Sequence, residues 1–288
     1  MASSRAVARA KGRGDALVIR RAVIFAAALV VWAGAPGSGA AGAQEPQGVA
    51  DATGDEPVRP VPRRDNGQIG LDGGGEPGLW LGRPGDGFWD LGANAESVPY
   101  QPWAAALAEE RRQNQLEPHA RCKPSGLSRQ FLTPYGVEIV DIPELQRIYF
   151  FDVGGPHTYR TIYLDGRTHP ENVDPSYYGH SIGWWDGDTL VVETTGFNEG
   201  FWMDRGGLPH TSQLRALERF TRTTFDTIRY ELTIDDPGAY TDTFDTRMEL
   251  QWSAGHELFE YVCQEANYAP ELMGSESGPA DRSSPVVP

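Results

Sequence analysis

The clearest pattern in the chain is a period-two alternation of apolar and polar side chains in its last third. Between residues 228 and 234 every second residue is apolar, and the alternation returns between 244 and 252 with Thr246 as the exception. Successive side chains of a β-strand point to opposite faces of the sheet, so each segment has one buried and one solvent-facing side. Both segments are therefore predicted to be half-buried strands.

Shorter β-branched and aromatic runs predict further strands at 137–142, 145–153, 158–164, 178–185 and 189–195. The last two flank Asp186-Gly187-Asp188, where glycine accepts the positive φ of a tight hairpin. An alanine-rich stretch after Pro102 predicts a helix over 102–114. About eight or nine strands with short connections predict a mainly β fold. We expect an antiparallel meander that closes into a lipocalin-like or calycin-like barrel, with one N-terminal helix.

The ends of the chain lack this pattern. Residues 1–43 combine a basic start, a short apolar run and a small-residue cleavage site, which predicts a cleaved signal peptide, of the twin-arginine type if Arg20-Arg21 is its motif. A permanent signal anchor is the alternative. Residues 44–99 are rich in Gly and Pro and predict a flexible spacer, in which an aromatic cluster around Trp80 and Trp89 is able to dock. Residues 100–265 are the predicted barrel domain, and 266–288 a disordered tail.

The charge of the chain limits its partners. It contains 40 acidic and 25 basic residues, a formal net charge of −15. Nucleic-acid binding needs a clustered basic surface, so this function is not expected, and after signal cleavage the acidic protein is expected to be repelled by anionic membranes. The predicted location is periplasmic or extracellular. In that oxidising compartment the only two cysteines, Cys122 and Cys263, are predicted to form a disulfide.

Strand parity selects a candidate acid/base pair. It places Glu218 on a dry face of the segment 213–222 and His180 among the apolar residues of 178–184. Together these two side chains would act as catalytic acid and base, with His157 or Tyr159 as a polarising donor.

A structural role for the same residues remains open. In that interpretation Glu218 forms an ion pair with Arg160 or Arg215, and His180 caps a loop. A metal site built from His169, His180, His210 and Glu218 would need ligands from four separate segments, so no metal is predicted. No dinucleotide or phosphate-binding motif is found in the sequence, so no cofactor is predicted either.

Aromatic residues indicate a binding surface near the connection 196–213, which is able to arch over a barrel mouth. Aromatic faces with a few polar groups suit a sugar, a terpenoid or an aromatic metabolite. The predicted ligand-binding residues are Tyr178, Trp184, Trp202, His210 and Arg160. Two functions remain open: an exported small-molecule-binding barrel without catalysis, or a periplasmic lyase, isomerase or hydrolase that uses the pair formed by His180 and Glu218.

Two sequence motifs in the predicted barrel region are similar to those of known proteins. Residues 159–167 read Tyr-Arg-Thr-Ile-Tyr-Leu-Asp-Gly-Arg, and residues 185–192 read Trp-Asp-Gly-Asp-Thr-Leu-Val-Val. Over about residues 118–265 the chain resembles a large family of uncharacterised secreted bacterial proteins, and the second motif is the most specific part of the likeness. The resemblance implies export and a β-rich body, and it implies no activity.

Overall fold

A computed structural model describes residues 58–83, 98–114 and 116–266. Over these residues the chain forms strands β1 (Gly78–Gly82), β2 (Val137–Ile142), β3 (Arg147–Asp152), β4 (Thr158–Tyr163), β5 (His180–Asp186), β6 (Thr189–Thr195), β7 (Arg215–Thr224), β8 (Thr227–Asp235) and β9 (Phe244–Ala254). Helix α1 (Pro102–Asn114) precedes β2, and the one-turn helix α2 (Cys263–Ala266) follows β9. Short 3-10 turns occupy Pro118–Arg121, Ser128–Leu132 and Pro143–Leu145.

The nine strands form one closed barrel in sequence order, and β1 closes the ring by pairing with β9. The predicted mainly β barrel with a single N-terminal helix is confirmed. The predicted meander needs one correction, because β4 and β5 are parallel whereas the other neighbours are antiparallel. Strand direction reverses at every antiparallel contact, so a closed ring with an odd number of strands must contain at least one parallel pair.

The parallel pair is also the shortest contact between consecutive strands apart from that of β1 with β2. Only Ile162 with Ser181 and Tyr163 with Ile182 are in register, so the first four residues of β4 have no partner on β5. A parallel connection cannot be a tight hairpin, and the chain uses residues 164–179 to return to the start of β5. The wall of the barrel is therefore incomplete beside the first half of β4.

Part of the predicted spacer belongs to the barrel. Strand β1 pairs with β9 over five residues, and Trp80 on it is fully buried with its Nε1 donating to the Leu71 carbonyl at 2.8 Å. Arg222 on β7 donates from Nη1 to the carbonyls of Gly70 (2.7 Å) and Asp72 (2.6 Å). The prediction of a spacer over 44–99 is wrong for residues 58–83, because a few apolar side chains and many backbone hydrogen bonds order this Gly-rich segment.

The barrel interior is filled by side chains. Phe131, on the turn Ser128–Leu132, is fully buried, and its ring centroid lies 6.0 Å from those of Phe150 and Phe220 and 5.4 Å from that of Tyr230. These partners come from β3, β7 and β8, so the turn plugs the barrel from one end. The interior of a small barrel is only wide enough to be filled by the side chains that point into it, as is observed for this barrel.

The predicted disulfide between Cys122 and Cys263 is present, with 5.7 Å between the Cα atoms. It joins the segment before β2 to the start of α2. No helix of the described residues is long and apolar enough to cross a membrane. The predicted signal peptide, the segments 44–57 and 84–97 of the predicted spacer, and the tail from residue 267 lie outside the described residues.

Candidate functional site

Glu218 lies inside the barrel wall in a fully bonded polar cluster. Its Oε1 accepts hydrogen bonds from Arg160 Nη1 and from the Tyr230 hydroxyl, both at 3.0 Å, and its Oε2 contacts Arg160 Nη2. Arg160 also donates from Nε to Ser181 at 2.9 Å and from Nη2 to Thr194 at 2.7 Å. Glu218 is 0% exposed and Arg160 2% exposed. Glu218 is buried as the sequence predicted. Of the two arginines considered as its ion-pair partner, Arg160 and Arg215, the structure shows Arg160.

His180 lies on the opposite side of the same wall. Its neighbour Ser181 contacts the interior cluster, so alternation along β5 turns His180 outward. Outside, its Nδ1 lies 2.8 Å from Nδ1 of His169, and its ring stacks on Tyr163 with 5.3 Å between centroids. The predicted acid/base pair of His180 and Glu218 is therefore not formed, because the barrel wall separates the two residues.

Two predicted ligand-binding residues belong to the core. His210 is 5% exposed, with its Nε2 3.0 Å from the Phe201 carbonyl and its ring 4.2 Å from the Phe201 ring. Trp202 is 6% exposed and lies under the guanidinium of Arg111. The connection between β6 and β7 thus packs onto the barrel end instead of forming an open mouth, and neither residue is placed to line a ligand site.

A cleft of about 420 Å³ opens on the outside of the barrel at the joint between β4 and β5. It lies where the first half of β4 lacks a β5 partner, so the missing backbone pairing creates the space. Its lining combines aromatic or imidazole rings with hydroxyl groups and a few other residues: His157, Tyr159, Tyr163, Tyr177, Tyr178, His180, Thr158, Thr161, Ser176, Pro124, Arg160 and Gly179.

Five predicted site residues meet at this cleft, namely His157, Tyr159, Arg160, Tyr178 and His180. Arg160 lines the cleft with the part of the residue close to the backbone of β4, because its guanidinium is bound to Glu218 inside the barrel. Tyr178 is buried at the cleft, and its hydroxyl accepts a hydrogen bond from Thr158 at 3.1 Å. Trp184 is not part of the cleft lining; its ring is exposed on the outer face of β5.

Aromatic rings continue from the cleft across the outer face of β3, where Tyr149 and Phe151 are half-buried. Tyr159 is 60% exposed, and its ring centroid lies 6.4 Å from that of Tyr149 and 6.2 Å from that of Phe151. Tyr159 and Tyr163 share the outer face of β4 four residues apart, which is about 13 Å along a strand. The aromatic surface is therefore longer than one small ring.

Beneath the cleft lies a buried hydrogen-bond network that the sequence analysis missed. Asp152 accepts from the Tyr178 hydroxyl at 2.8 Å and from the Gly154 N–H at 2.9 Å, and it bonds the Ser125 side chain. Ser125 Oγ in turn lies 3.1 Å from Nδ1 of His119. Burial raises the pKa of Asp152 to about 6 against the lowering effect of these hydrogen bonds, and burial lowers the pKa of His119 to about 4.

Alternation along β3 was the available signal for one member of this network. Ile148, Phe150 and Asp152 share the inward face, so the carboxyl group had to be buried at the end of the strand. His119 and Ser125 lie before the first strand of the predicted barrel, in a segment without periodicity. Nothing in that segment indicated that they would reach Asp152.

The four candidate metal ligands do not converge. His169 and His180 meet outside the barrel, whereas His210 and Glu218 are bonded separately in the core. Among the described residues, no group of three or more His, Cys, Asp or Glu side chains is arranged to hold a metal ion.

Comparisons with protein-family models, with curated proteins and with solved structures found no match to this chain. The resemblance to secreted bacterial proteins therefore stays a prediction from the sequence motifs. The function must be argued from the chemistry of the cleft and its surroundings.

Proposed function

We propose that this protein is an exported, non-catalytic binding protein for a small sugar-like ligand. The ligand would occupy the outer cleft between β4 and β5, with the face of one sugar ring on the exposed ring of Tyr159. The observation that carries the proposal is the cleft itself, since about 420 Å³ of open space is bordered by the exposed ring of Tyr159, by half-buried rings and by hydroxyl groups. Such rings stack on the apolar faces of sugars, while hydroxyl groups bind the sugar edges.

A sugar suits the cleft better than the other two ligand classes considered. Terpenoids and purely aromatic metabolites favour enclosed apolar cavities, and the barrel interior that would offer one is occupied by Phe131 and its neighbours. The cleft is open to solvent and mixes tyrosine rings with Thr158, Thr161 and Ser176. An open, half-polar surface of this kind leaves the hydroxyls of a saccharide in water on one side.

Binding is favoured over catalysis by the arrangement of the titratable groups. The lyase, isomerase or hydrolase alternative required His180 and Glu218 to face one reacting group, and the barrel wall lies between them. The Asp152 carboxyl group is held by three donors beneath Tyr178 and is itself almost completely buried. The disulfide is compatible with the predicted export to the periplasm or the extracellular space.

A ligand screen with matched variants tests this proposal. We expect saturation-transfer NMR on a panel of short oligosaccharides to detect binding, and Tyr159→Ala to weaken it about tenfold through the loss of one stacking surface. Trp184→Ala is the control, because this ring is also exposed but is not part of the cleft. Absence of binding across the panel, or equal effects of both substitutions, would contradict the proposed site.

A further inference from the structure

The cleft differs in charge from the rest of the protein. Acidic residues outnumber basic ones 40 to 25 in the chain, yet none of the residues that line the cleft is Asp or Glu. Surface charges beyond about 8 Å are screened at physiological salt, so a ligand in the cleft responds mainly to nearby groups. The groups around its Tyr163 end therefore decide which ligand charge is favoured.

Arg147 lies beside this end without a counter-charge. It is the register partner of Tyr163 across β3 and β4, and its guanidinium carbon is 5.3 Å from the Tyr163 ring centroid. Its Nη1 donates only a long bond of 3.5 Å to the Tyr149 hydroxyl, and its Nε, which is buried, has no hydrogen-bond partner. In the described part of the chain no carboxylate forms an ion pair with Arg147, so its charge is available to a ligand.

Arg167 adds a second cation at the same place. Its guanidinium carbon lies 3.8 Å from the Tyr163 ring centroid, and it is paired with Asp165. Two arginines and one aspartate leave this end of the cleft with a net positive charge before the histidines are considered.

The pair formed by His169 and His180 presents a donor or a further positive charge. A hydrogen bond between the two Nδ1 atoms at 2.8 Å needs a proton on one of them. The Nε2 of His169 is buried without a partner, and an orphaned buried N–H is rarer than an orphaned acceptor. The favoured arrangement therefore has His169 donating from Nδ1, which leaves the neutral His180 with its proton on Nε2. Since His180 lines the cleft, that group is a donor for an anionic or polar ligand.

We propose that the sugar-like ligand is acidic and that its carboxylate or sulfate binds at the Tyr163 end of the cleft, between Arg147, Arg167 and His180. This inference rests on the proposed function and adds the charge of the ligand to it. Arginine and imidazole N–H groups form charge-assisted hydrogen bonds with such anions, and these are stronger than bonds between neutral groups.

The histidine pair makes the binding dependent on pH. Burial lowers the pKa of His180 below 6.5, with Arg167 and His169 acting in the same direction and Asp165 against them. Burial also lowers the pKa of His169, with Arg215 in the same direction and Glu193 against it. A bound anion favours the protonated pair, whereas a sugar carboxylate stays ionised down to about pH 4. Affinity for an acidic saccharide is therefore expected to rise as the pH falls from 7.5 to 5.

The test uses acidic oligosaccharides beside the same compounds with their charge removed, such as oligogalacturonates and their methyl esters, and sulfated oligosaccharides and their desulfated forms. We expect calorimetry to give at least tenfold tighter binding for the charged member of one or more pairs. Arg147→Gln should weaken the binding of the charged member more than that of the neutral member and so reduce that preference, with Arg167 and His180 retaining part of it. Arg229→Gln is the control, because this exposed arginine lies on β8, away from the cleft lining.

The outcomes separate this inference from the proposed function. Binding of neutral saccharides that is equal to or tighter than that of their charged counterparts overturns the acidic ligand and leaves the sugar site standing. A loss in Arg147→Gln that is equal for both members of a pair also overturns it. If no member of any pair binds, the proposed function fails together with the inference. The preference for carboxylate or for sulfate pairs identifies the anion.

Discussion

The cluster of Arg160 and Glu218 inside the barrel and the Tyr163 end of the cleft outside it are made of similar groups. Each combines arginine, hydroxyl groups and an aromatic ring. Inside, Arg160 binds Glu218, Ser181 and Thr194, so its charge is matched within the fold. Outside, Arg147 has only a long bond to a tyrosine hydroxyl. Complete internal pairing indicates a structural role, whereas an uncompensated charge beside an open space indicates binding.

The largest effect is expected at the disulfide, which ties the segment leading to Pro124 at the cleft to the end of the barrel domain. Replacing both Cys122 and Cys263 with serine frees a loop closed over a sequence separation of 141 residues, and the chain-entropy relation gives about 5 kcal/mol of lost stability. Urea unfolding measures the loss, and reduction of the wild-type protein should produce the same decrease. A loss below about 1 kcal/mol would show that the unfolded chain is not restrained by this link.

The interior side of the comparison is tested by Glu218→Gln. Removing one partner of a buried ion pair leaves Arg160 with an unmatched charge, which costs about 3–5 kcal/mol in the free energy of unfolding. Glu193→Gln is the matched control, because its partner Arg215 is solvent-exposed and surface pairs contribute at most about 1 kcal/mol. A stable Glu218→Gln protein that has lost saccharide binding would reverse the roles assigned to the two regions.

Asp152, beneath the cleft, is expected to give a pH-dependent effect of about 3 kcal/mol. Its pKa rises from 3.8 in the unfolded chain to about 6 in the folded protein, so the folded state holds the proton more tightly. The contribution of this group to stability is therefore greatest below pH 3.8 and is lost as the pH rises through 6.

Asp152→Asn removes this titration. Urea unfolding at pH 4 and pH 7.5 should show a smaller difference between the two pH values for Asp152→Asn than for the wild-type protein. Asp174→Asn, at an exposed position, serves as the control. An unchanged difference in Asp152→Asn would mean that other groups cause the pH dependence.

The smallest effect on stability is expected at Tyr159. Its side chain is largely exposed, so Tyr159→Ala should change the free energy of unfolding by no more than about 0.5 kcal/mol. The same substitution is expected to weaken saccharide binding, and this contrast with Glu218→Gln defines the difference between the two regions. Thermal unfolding and calorimetric titration on one preparation measure both properties. A large loss of stability would show that Tyr159 has a structural role and not only a role in binding.

Alternation was sufficient to predict the strands with one dry and one wet face. Strands β8 and β9 and helix α1 lie where the sequence predicted them. Strand β1 was missed because five residues in a Gly-rich stretch show no periodicity, and its order depends on β9 and Arg222, which are distant in sequence. The parallel joint was missed because residues 164–179 contain no signal for strand direction.

The position of His180 shows the limit of parity more directly. Alternation divides β5 into two faces but does not say which one is inside. The outward face with Ile182 and Trp184 contains more apolar surface, yet the inward face contains Ser181 and Gly183. A Cβ on Gly183 would approach Ile162 to 2.8 Å, and Ser181 bonds the guanidinium of Arg160. The small space inside the barrel therefore determines which face of β5 points inward. This space depends on the neighbouring strands and cannot be predicted from the sequence of β5.

Closure of the ring has a consequence for folding kinetics. Strands β5 to β9 pair mainly with strands next to them in the sequence. The main partner of β1 is β9, and the register pair Gly78 with Ala254 shows how distant in sequence these two strands are. Contacts between residues so distant in sequence form slowly, because loop closure costs entropy before any pairing is gained. During synthesis β1 therefore stays without its main partner until almost the whole domain has left the ribosome. Until then β1 is an exposed edge, and chaperone binding at this stage would protect the chain from aggregation.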